Sequence, residues 1–237
     1  MELDDTIAEA HTALAHLHVW WDWDWEAGKK GFKRAIELNP SYATAHHWYA
    51  FLLMFLGQAD ESIERITQAQ ELDPLSLIIN ANVGFMRYYA RRYDEAIEYY
   101  RKALEMDPNF AEIHWYLGMA YCQKGLHEEA IQALQRATAL SGGFDKHRGS
   151  LGYAFVLAGR KDEAIKIVND LKEKGQDRYY AAIVYAALGD KDRAFECLEK
   201  CYKERSNDMA YLKVDPAFDS LHSDPRFKAL LKKIGLE

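Results

Sequence analysis

A period of 34 residues constrains the fold of this chain more than any other feature. Three series of small residues repeat at this spacing: Ala50, Gly84, Gly118 and Gly152; Ser62, Ala96, Ala130 and Ala164; and Ala69, Ala103 and Ala137. Several positions that share one period indicate one structural unit copied in tandem. Such a unit buries its apolar face only against its neighbours, so we expect an elongated solenoid with no single centre, and a function carried by a surface.

Each period is typical of two amphipathic helices. In the unit that spans 111–141, Gly125 is placed as the C-terminal stop of the first helix. The second helix begins with Glu128 and Glu129, which suit the positive end of its dipole. Small residues at Gly118 and Ala130 predict that the two helices cross closely there, because a large side chain would hold the backbones apart.

The units are separated by Asx-Pro pairs, and the regular pattern changes at both ends. Asn39-Pro40, Asp73-Pro74 and Asp107-Pro108 mark successive boundaries, where proline favours the start of a new helix. The first unit keeps the register only if one extra residue lies in the turn WWDWDW. Downstream, the distances Gly159 to Gly189 and Ala164 to Ala194 are both 30 residues, which predicts a rotated or looser sixth unit.

The last residues leave the repeat pattern. Asp224-Pro225 predicts a helix start, and Phe227, Leu230, Leu231 and Ile234 form one apolar stripe behind it. Since the open end of a solenoid exposes its core, we interpret residues 207–237 as a cap over the last unit.

These offsets resemble the tetratricopeptide repeat family. The unit that starts at Ala111 matches its pattern with this set: His114, Leu117, Gly118, Tyr121, Ala130, Leu134 and Ala137. The resemblance implies an all-α, right-handed superhelical solenoid of six helix pairs over residues 1–206, followed by the cap. The predicted pairs cover 3–42, 43–76, 77–110, 111–144, 145–175 and 176–206.

A narrower resemblance rests on the segments HWYA, LDPLSLIIN, ARRYDEAIE and VDPAFDSLHSDPRF. They are similar to the C-terminal repeat array of bacterial multidomain signalling proteins. In that group the array is joined to a kinase, a winged-helix DNA-binding domain or a nucleotide cyclase domain. This likeness implies a regulatory or sensor role for the array.

Composition narrows the partners and the compartment. Acidic residues outnumber Lys and Arg by 37 to 30 and no basic run exceeds two residues, which argues against direct nucleic-acid binding. Three cysteines do not suggest a disulfide framework. The acidic N-terminus lacks the layout of a signal peptide, and no apolar stretch is long enough to span a bilayer. We therefore expect a cytoplasmic protein without membrane insertion.

The family resemblance implies that the first helix of each pair lines a concave groove. The groove positions that we single out for binding a partner protein or peptide are His47, Phe51, Met54, Phe55, Asn82, Phe85, Tyr88, Tyr89, Trp115, Met119 and Tyr153. Aromatic residues and Met are enriched at interaction surfaces. Packing between adjacent repeats explains large residues at these positions equally well.

The character of this wall favours an apolar partner segment, such as a helix laid in the groove. Repeats of this family that hold acidic chaperone tails use a clamp of Lys, Asn and Arg. Here only Asn82 fits a clamp position, while His47 and Phe51 stand where Lys or Asn is required. The sequence therefore argues against a chaperone-tail site.

Four tryptophans lie between Trp20 and Trp25. They are able to form an exposed ligand platform, or to pack the wide first turn and the open N-terminal end. We prefer packing, which is the usual fate of large aromatic residues.

No motif indicates a metal, a cofactor or a catalytic centre. Nine histidines are present, but HExxH and paired CxxC motifs are missing, and Cys201 takes a small-residue core position. Neither a phosphate-binding glycine loop nor a GxSxG elbow occurs. We therefore predict a non-catalytic scaffold that binds a protein or peptide. The alternatives are a regulatory array and self-association through the solenoid ends, because apolar faces at an uncapped end can pair two chains.

Overall fold

The computed structural model describes residues 6–175 and 178–237, and in these ranges it contains helices and no strand. Twelve helices pair into six antiparallel hairpins: α1 Ala8–Leu17 with α2 Trp25–Leu38, α3 Ala43–Phe55 with α4 Ala59–Leu72, α5 Leu77–Tyr89 with α6 Tyr93–Met106, α7 Ala111–Lys124 with α8 His127–Leu140, α9 Asp145–Leu157 with α10 Lys161–Glu173, and α11 Tyr179–Leu188 with α12 Lys191–Lys203. The all-α fold is confirmed. The predicted starts of the first and sixth pairs, at 3 and 176, lie outside the described residues.

The small residues at the helix crossings have the predicted packing role. A Cβ atom on Gly118 would lie 2.5 Å from Leu134 Cγ and 3.2 Å from the carbonyl oxygen of Ala130. One period earlier, a Cβ on Gly84 would lie 2.6 Å from Tyr100 Cε1. Because real Cβ atoms do not approach other atoms this closely, glycine at these positions allows the two helices of a hairpin to meet.

A polar side chain closes each turn between the regular hairpins. His46, Asn80 and His114 each donate a hydrogen bond to the carbonyl oxygen of the proline six residues earlier, namely Pro40, Pro74 and Pro108, at 2.8–2.9 Å. The tetratricopeptide pattern usually has a large residue at this position, and here the side chain also satisfies a carbonyl group of the turn.

The first hairpin contains the extra residue that the register requires. The segment His18–Asp22 at the end of α1 forms a π-helical turn, which accommodates one added residue. Trp23 then adopts a left-handed conformation with φ of 55°. Asp24 caps α2, because its Oδ1 accepts a hydrogen bond from the amide of Ala27 at 3.0 Å.

The sixth hairpin is placed differently from the others. Between neighbouring hairpins, each earlier first helix packs mainly against the second helix of the preceding pair, whereas α11 packs mainly against the first helix α9. A Cβ on Gly149 of α9 would lie 2.5 Å from Tyr180 Cβ of α11. The shorter spacing between the fifth and sixth units therefore draws α11 toward the first helices, as the 30-residue distances predict.

The C-terminal region begins with two short 3₁₀ helices, Asn207–Tyr211 and Pro216–Leu221, and ends with α13, Pro225–Lys233. The predicted helix start is confirmed, since Asp224 Oδ1 accepts a hydrogen bond from the amide of Arg226 at 3.0 Å. Ion pairs join α13 to α12, with Arg226 to Asp192 at 2.8 Å and Lys233 to Glu199 at 2.7 Å.

The two ends of the solenoid meet. Trp25 Nε1 donates a hydrogen bond to the carbonyl oxygen of Ile234 at 2.7 Å. The ring of Trp23 stacks on Tyr202 at 5.9 Å, and the guanidinium of Arg205 lies 4.8 Å from the centre of the Trp23 ring. The expected elongated body is therefore wrong: one continuous buried cluster extends from Ala15 to Leu236. The C-terminal region and the sixth hairpin thus cover the turn that follows α1. Large apolar residues of the first hairpin stay exposed, namely Ile7, Leu14, Leu17 and Trp21, and self-association through this end stays a prediction.

Within the described ranges, none of the helices combines the length and the apolar composition needed to cross a membrane.

Candidate functional site

The first helices of the hairpins form the inner side of the solenoid, because α1, α3, α5, α7, α9 and α11 contact one another in sequence. This is the surface that the resemblance assigns to partner binding. Most of the predicted groove residues are buried within the chain: His47, Phe51, Met54, Phe55, Asn82, Phe85, Tyr88, Trp115, Met119 and Tyr153. Tyr89 is half-buried. None of these eleven side chains is exposed in this conformation.

The chain's own C-terminal segment, defined here as residues 207–221, covers part of this inner surface. The ring centre of Tyr211 lies 4.9 Å from that of Phe55, 5.5 Å from that of Tyr89 and 6.0 Å from that of Phe85. Aromatic pairs at these separations contribute beyond the apolar area that they bury. Tyr211 therefore binds at the inner ends of the second and third hairpins.

Polar contacts fix the rest of the C-terminal segment. The guanidinium of Arg91 donates two hydrogen bonds to the carboxylate of Asp219, at 2.8 and 3.1 Å. The hydroxyl of Tyr179 donates to Asp215 Oδ2 at 3.0 Å, and its ring meets Phe218 at 5.2 Å. The segment is thus held by the third and sixth hairpins together.

Two of the predicted polar groove residues bind each other. Asn82 Nδ2 donates a hydrogen bond to His47 Nε2 at 2.7 Å, across the second and third hairpins. Burial lowers the pKa of His47 to about 4, so the ring is neutral at pH 7 and its Nε2 accepts. Asn82 is therefore engaged inside the chain, in agreement with the argument against a chaperone-tail clamp.

The tryptophan cluster is divided between packing and exposure. Trp20, Trp23 and Trp25 are buried, whereas Trp21 is 57% exposed. Trp20 stacks on His16 at 4.4 Å, and the other two buried rings meet the C-terminal region as described above. The preferred packing interpretation holds for three of the four rings.

A pocket of about 140 Å³ lies between the inner helices and the C-terminal segment; we call it the central pocket. Its floor consists of buried residues: Tyr88, Tyr100, Tyr179, Ile183 and Asp215. Its mouth consists of half-buried residues: Tyr89, Lys146, Tyr180, Asp208 and Tyr211. Aromatic side chains from α5 and α7 form the wall: Phe85, Trp115 and Tyr116.

Two carboxylates, those of Asp208 and Asp215, line the central pocket together with these aromatic side chains. Burial raises the pKa of Asp215 to about 6, although hydrogen bonds from the Ala217 amide and the Tyr179 hydroxyl act in the opposite direction. Burial also raises the pKa of Asp208, which accepts hydrogen bonds from the hydroxyls of Ser206 at 3.2 Å and Tyr180 at 3.4 Å. The pocket therefore holds negative charge in a poorly solvated place.

The ammonium of Lys146 at the mouth is already engaged. Its Nζ lies 2.5 Å from Glu112 Oε2 and 4.6 Å from the centre of the Trp115 ring. Buried His147 adds a second contact, with its Nε2 3.3 Å from Glu112 Oε1. Although burial itself acts to raise the pKa of Glu112, these two partners lower it overall, so Glu112 is ionised and neutralises Lys146.

Family models described as tetratricopeptide repeat match residues 32–64, 87–143 and 179–208. The chain contains tetratricopeptide repeats. This fold commonly mediates protein–protein interactions, and repeats of this family are generally non-catalytic scaffolds. A sequence comparison with functionally curated proteins finds no match.

Solved structures with the same fold include several tetratricopeptide-repeat proteins. TTC0263, a thermophilic protein from Thermus thermophilus, is 21% identical, with a TM-score of 0.67 over 76% of this chain and 98% of that chain. PilW, a type IV pilus biogenesis factor, is 21% identical, with a TM-score of 0.65 over 94% and 98% of the two chains. YrrB, described as having an unusual peptide-binding site, is 16% identical, with a TM-score of 0.50 over 81% and 92%. At these identities the likeness establishes the fold alone.

The cysteines of this tetratricopeptide-repeat chain are buried. Burial raises the pKa of Cys201 to about 12, which keeps this thiol protonated and unreactive at pH 7. Across residues 6–175 and 178–237, no three His, Cys, Asp or Glu side chains are grouped so as to hold a metal ion.

Sequence reasoning missed the C-terminal half of the central pocket, namely Asp208, Tyr211 and Asp215. One signal was available. The segment 207–221 contains more apolar residues than a simple connection to α13 requires, including Met209, Leu212 and Phe218, all fully buried. Its contacts join residues more than 100 positions apart, and no repeat offset predicts such pairs.

Proposed function

We propose that this chain is a non-catalytic protein-binding module whose inner groove accepts either its own C-terminal segment or a partner segment of similar chemistry. The observation that carries the proposal is the position of Tyr211 among Phe55, Phe85 and Tyr89. Three predicted groove residues thus bind an aromatic side chain of a polypeptide. Tyr211 belongs to the C-terminal segment of the same chain. This segment therefore serves as an example of the partner segment that we expect the groove to recognise.

The chemistry of the C-terminal segment defines the partner that we expect. Its anchors are the rings of Tyr211 and Phe218, and its carboxylates, Asp215 and Asp219, accept hydrogen bonds from Tyr179 and Arg91. A matching partner carries two aromatic residues about seven positions apart, with acidic residues close to the second. Burial of aromatic anchors is the usual source of binding energy at interfaces.

A synthetic peptide covering 206–222 tests this proposal. We expect it to bind a Tyr211→Ala variant at least ten times more tightly than the wild-type chain. In the wild type the resident segment competes at an effective concentration of ~1 mM or more, because it is covalently attached. Fluorescence anisotropy of the labelled peptide measures both affinities.

The matched control is the same peptide carrying Tyr211→Ala and Phe218→Ala, and circular dichroism checks that the protein variant remains helical. Equal binding of the two peptides, or no binding to a folded Tyr211→Ala variant, would overturn groove recognition of this segment. The eleven groove residues would then remain core residues without a demonstrated partner.

A regulatory or sensor role is the second candidate, and the occupied groove favours it. A groove that is covered by its own chain binds partners only after a conformational change, which gives an attached domain or a ligand a means of control. The same proposal includes a kinase, winged-helix or cyclase domain attached to this chain. We expect the activity of the attached domain to change when Tyr211→Ala releases the C-terminal segment.

A further inference from the structure

We propose that the central pocket binds a small organic cation, an ammonium compound comparable in size to benzylamine or choline. This inference goes beyond protein binding and does not depend on whether a partner displaces the C-terminal segment. It rests on two observations: the aromatic wall and the negative charge of the lining.

The aromatic wall provides ring faces that attract cations. Trp115, Tyr116 and Phe85 line one side of the pocket, and Tyr211 and Tyr180 lie at the mouth. An ammonium group near the face of an aromatic ring is attracted by the negative potential of that face. The chain already uses this interaction, since Lys146 Nζ lies 4.6 Å from the centre of the Trp115 ring.

The charges of the lining side chains sum to a negative value. Asp208 and Asp215 contribute carboxylates, while the one lining ammonium, Lys146, is paired with Glu112 outside the pocket. Among the described residues, neither Asp208 nor Asp215 forms an ion pair. Lys146 acts on Asp208 and Arg91 acts on Asp215 only from beyond ion-pair distance. A poorly solvated carboxylate without a cation in direct contact is costly, and a cationic ligand supplies that contact.

The size of the pocket sets the size of the ligand. Its volume of about 140 Å³ is close to that of an engineered protein cavity that binds benzene, ~150 Å³. The proposed occupant is therefore a single small ring or a compact branched group that carries one ammonium.

The test compares matched probes of different charge by isothermal titration calorimetry. Benzylamine is compared with benzyl alcohol and benzoate, and choline with its neutral isostere 3,3-dimethylbutan-1-ol. We expect at least one cation to bind saturably and at least tenfold more tightly than its neutral counterpart.

The variant Asp215→Asn should weaken both cations at least tenfold at pH 7.5, and its control is Asp162→Asn at the exposed start of α10.

Equal affinity for charged and neutral probes would overturn the proposal, as would preference for benzoate or no saturable binding of either cation. Cation binding that survives unchanged in a folded Asp215→Asn variant would place the cation elsewhere and would also overturn it. Since the peptide experiment uses a different ligand and a different variant, either proposal can fail alone.

Discussion

At the scale of single residues, Asp215 links pH to stability. Burial raises the pKa of its carboxyl to about 6 in the folded chain, from 3.8 for an ordinary aspartate. Between these two pH values the unfolded chain has released the proton and the folded chain still holds it. The contribution of this group to the free energy of unfolding therefore falls as pH rises from 4 to 6, by about 2 kcal/mol.

The variant Asp215→Asn removes this titration and keeps an oxygen that accepts from the Ala217 amide. We expect the variant to gain stability relative to the wild type as pH rises from 4 to 6, with a constant difference above pH 7. Urea unfolding at several pH values measures this difference, and Asp162→Asn is the control. Parallel stability curves for wild type and Asp215→Asn would show that the carboxyl titrates normally.

Gly118 tests the hairpin crossing itself. Leucine at this position places atoms where Leu134 Cγ and the Ala130 carbonyl already lie, so we expect a loss of ~1–3 kcal/mol in the free energy of unfolding. The control is Ala139→Leu on the exposed face of α8, for which we expect little change. Equal urea midpoints for the two variants would contradict a close contact at Gly118.

Residues within the repeats were predictable, and residues outside them were not. The 34-residue spacing identifies Gly118 and Ala130 as crossing residues because a repeated unit imposes the same contact in every copy. Asp215 and Tyr211 occur once, and their contacts with Tyr179 and Phe55 follow no period. The sequence therefore predicted which first-helix residues face inward, but not the segment that covers them.

At the scale of elements, the sixth hairpin determines how tightly the solenoid curves. Helix α11 lies close against α9 because Gly149 has no side chain. A Cβ atom on Gly149 would lie only 2.5 Å from the Cβ of Tyr180. The altered spacing of 30 residues predicted a different placement of this hairpin. The identity of the new contact required the structure, because a shortened repeat permits several ways of packing.

The variant Gly149→Ala tests this helix contact. Alanine gains up to ~1 kcal/mol of helix propensity over glycine, but here its methyl group overlaps the rigid Cβ of Tyr180. We expect a net loss of ~1–3 kcal/mol in urea unfolding. In the matched control, Gly152→Ala, the nearest atom is Val184 Cγ2 at 3.1 Å, which has to give way by only a few tenths of an ångström, so any loss of stability should be clearly smaller than for Gly149→Ala. A more stable Gly149→Ala protein would contradict the close approach of α9 and α11.

At the scale of the whole molecule, the solenoid is closed because two separate features act together. The sixth hairpin turns inward, and the C-terminal region then reaches the buried tryptophans that follow α1. Neither feature closes the chain alone: the contacts of Trp25 with Ile234 and of Trp23 with Tyr202 require both. The central pocket lies within this closed body, and its lining comes from the third to sixth hairpins and from the C-terminal segment.

The closed shape has a measurable size. A compact chain of 237 residues has an expected radius of gyration of about 18 Å, and we expect small-angle X-ray scattering of the wild type to give this value. Trp23→Ala removes the ring that stacks on Tyr202 and contacts the guanidinium of Arg205. The first and sixth hairpins should then separate, and the radius of gyration should increase. Trp21→Ala, which changes an exposed ring in the same turn, should leave the radius unaltered. A wild-type radius several ångströms larger, or identical profiles for Trp23→Ala and wild type, would show that contact between the ends does not hold the molecule closed.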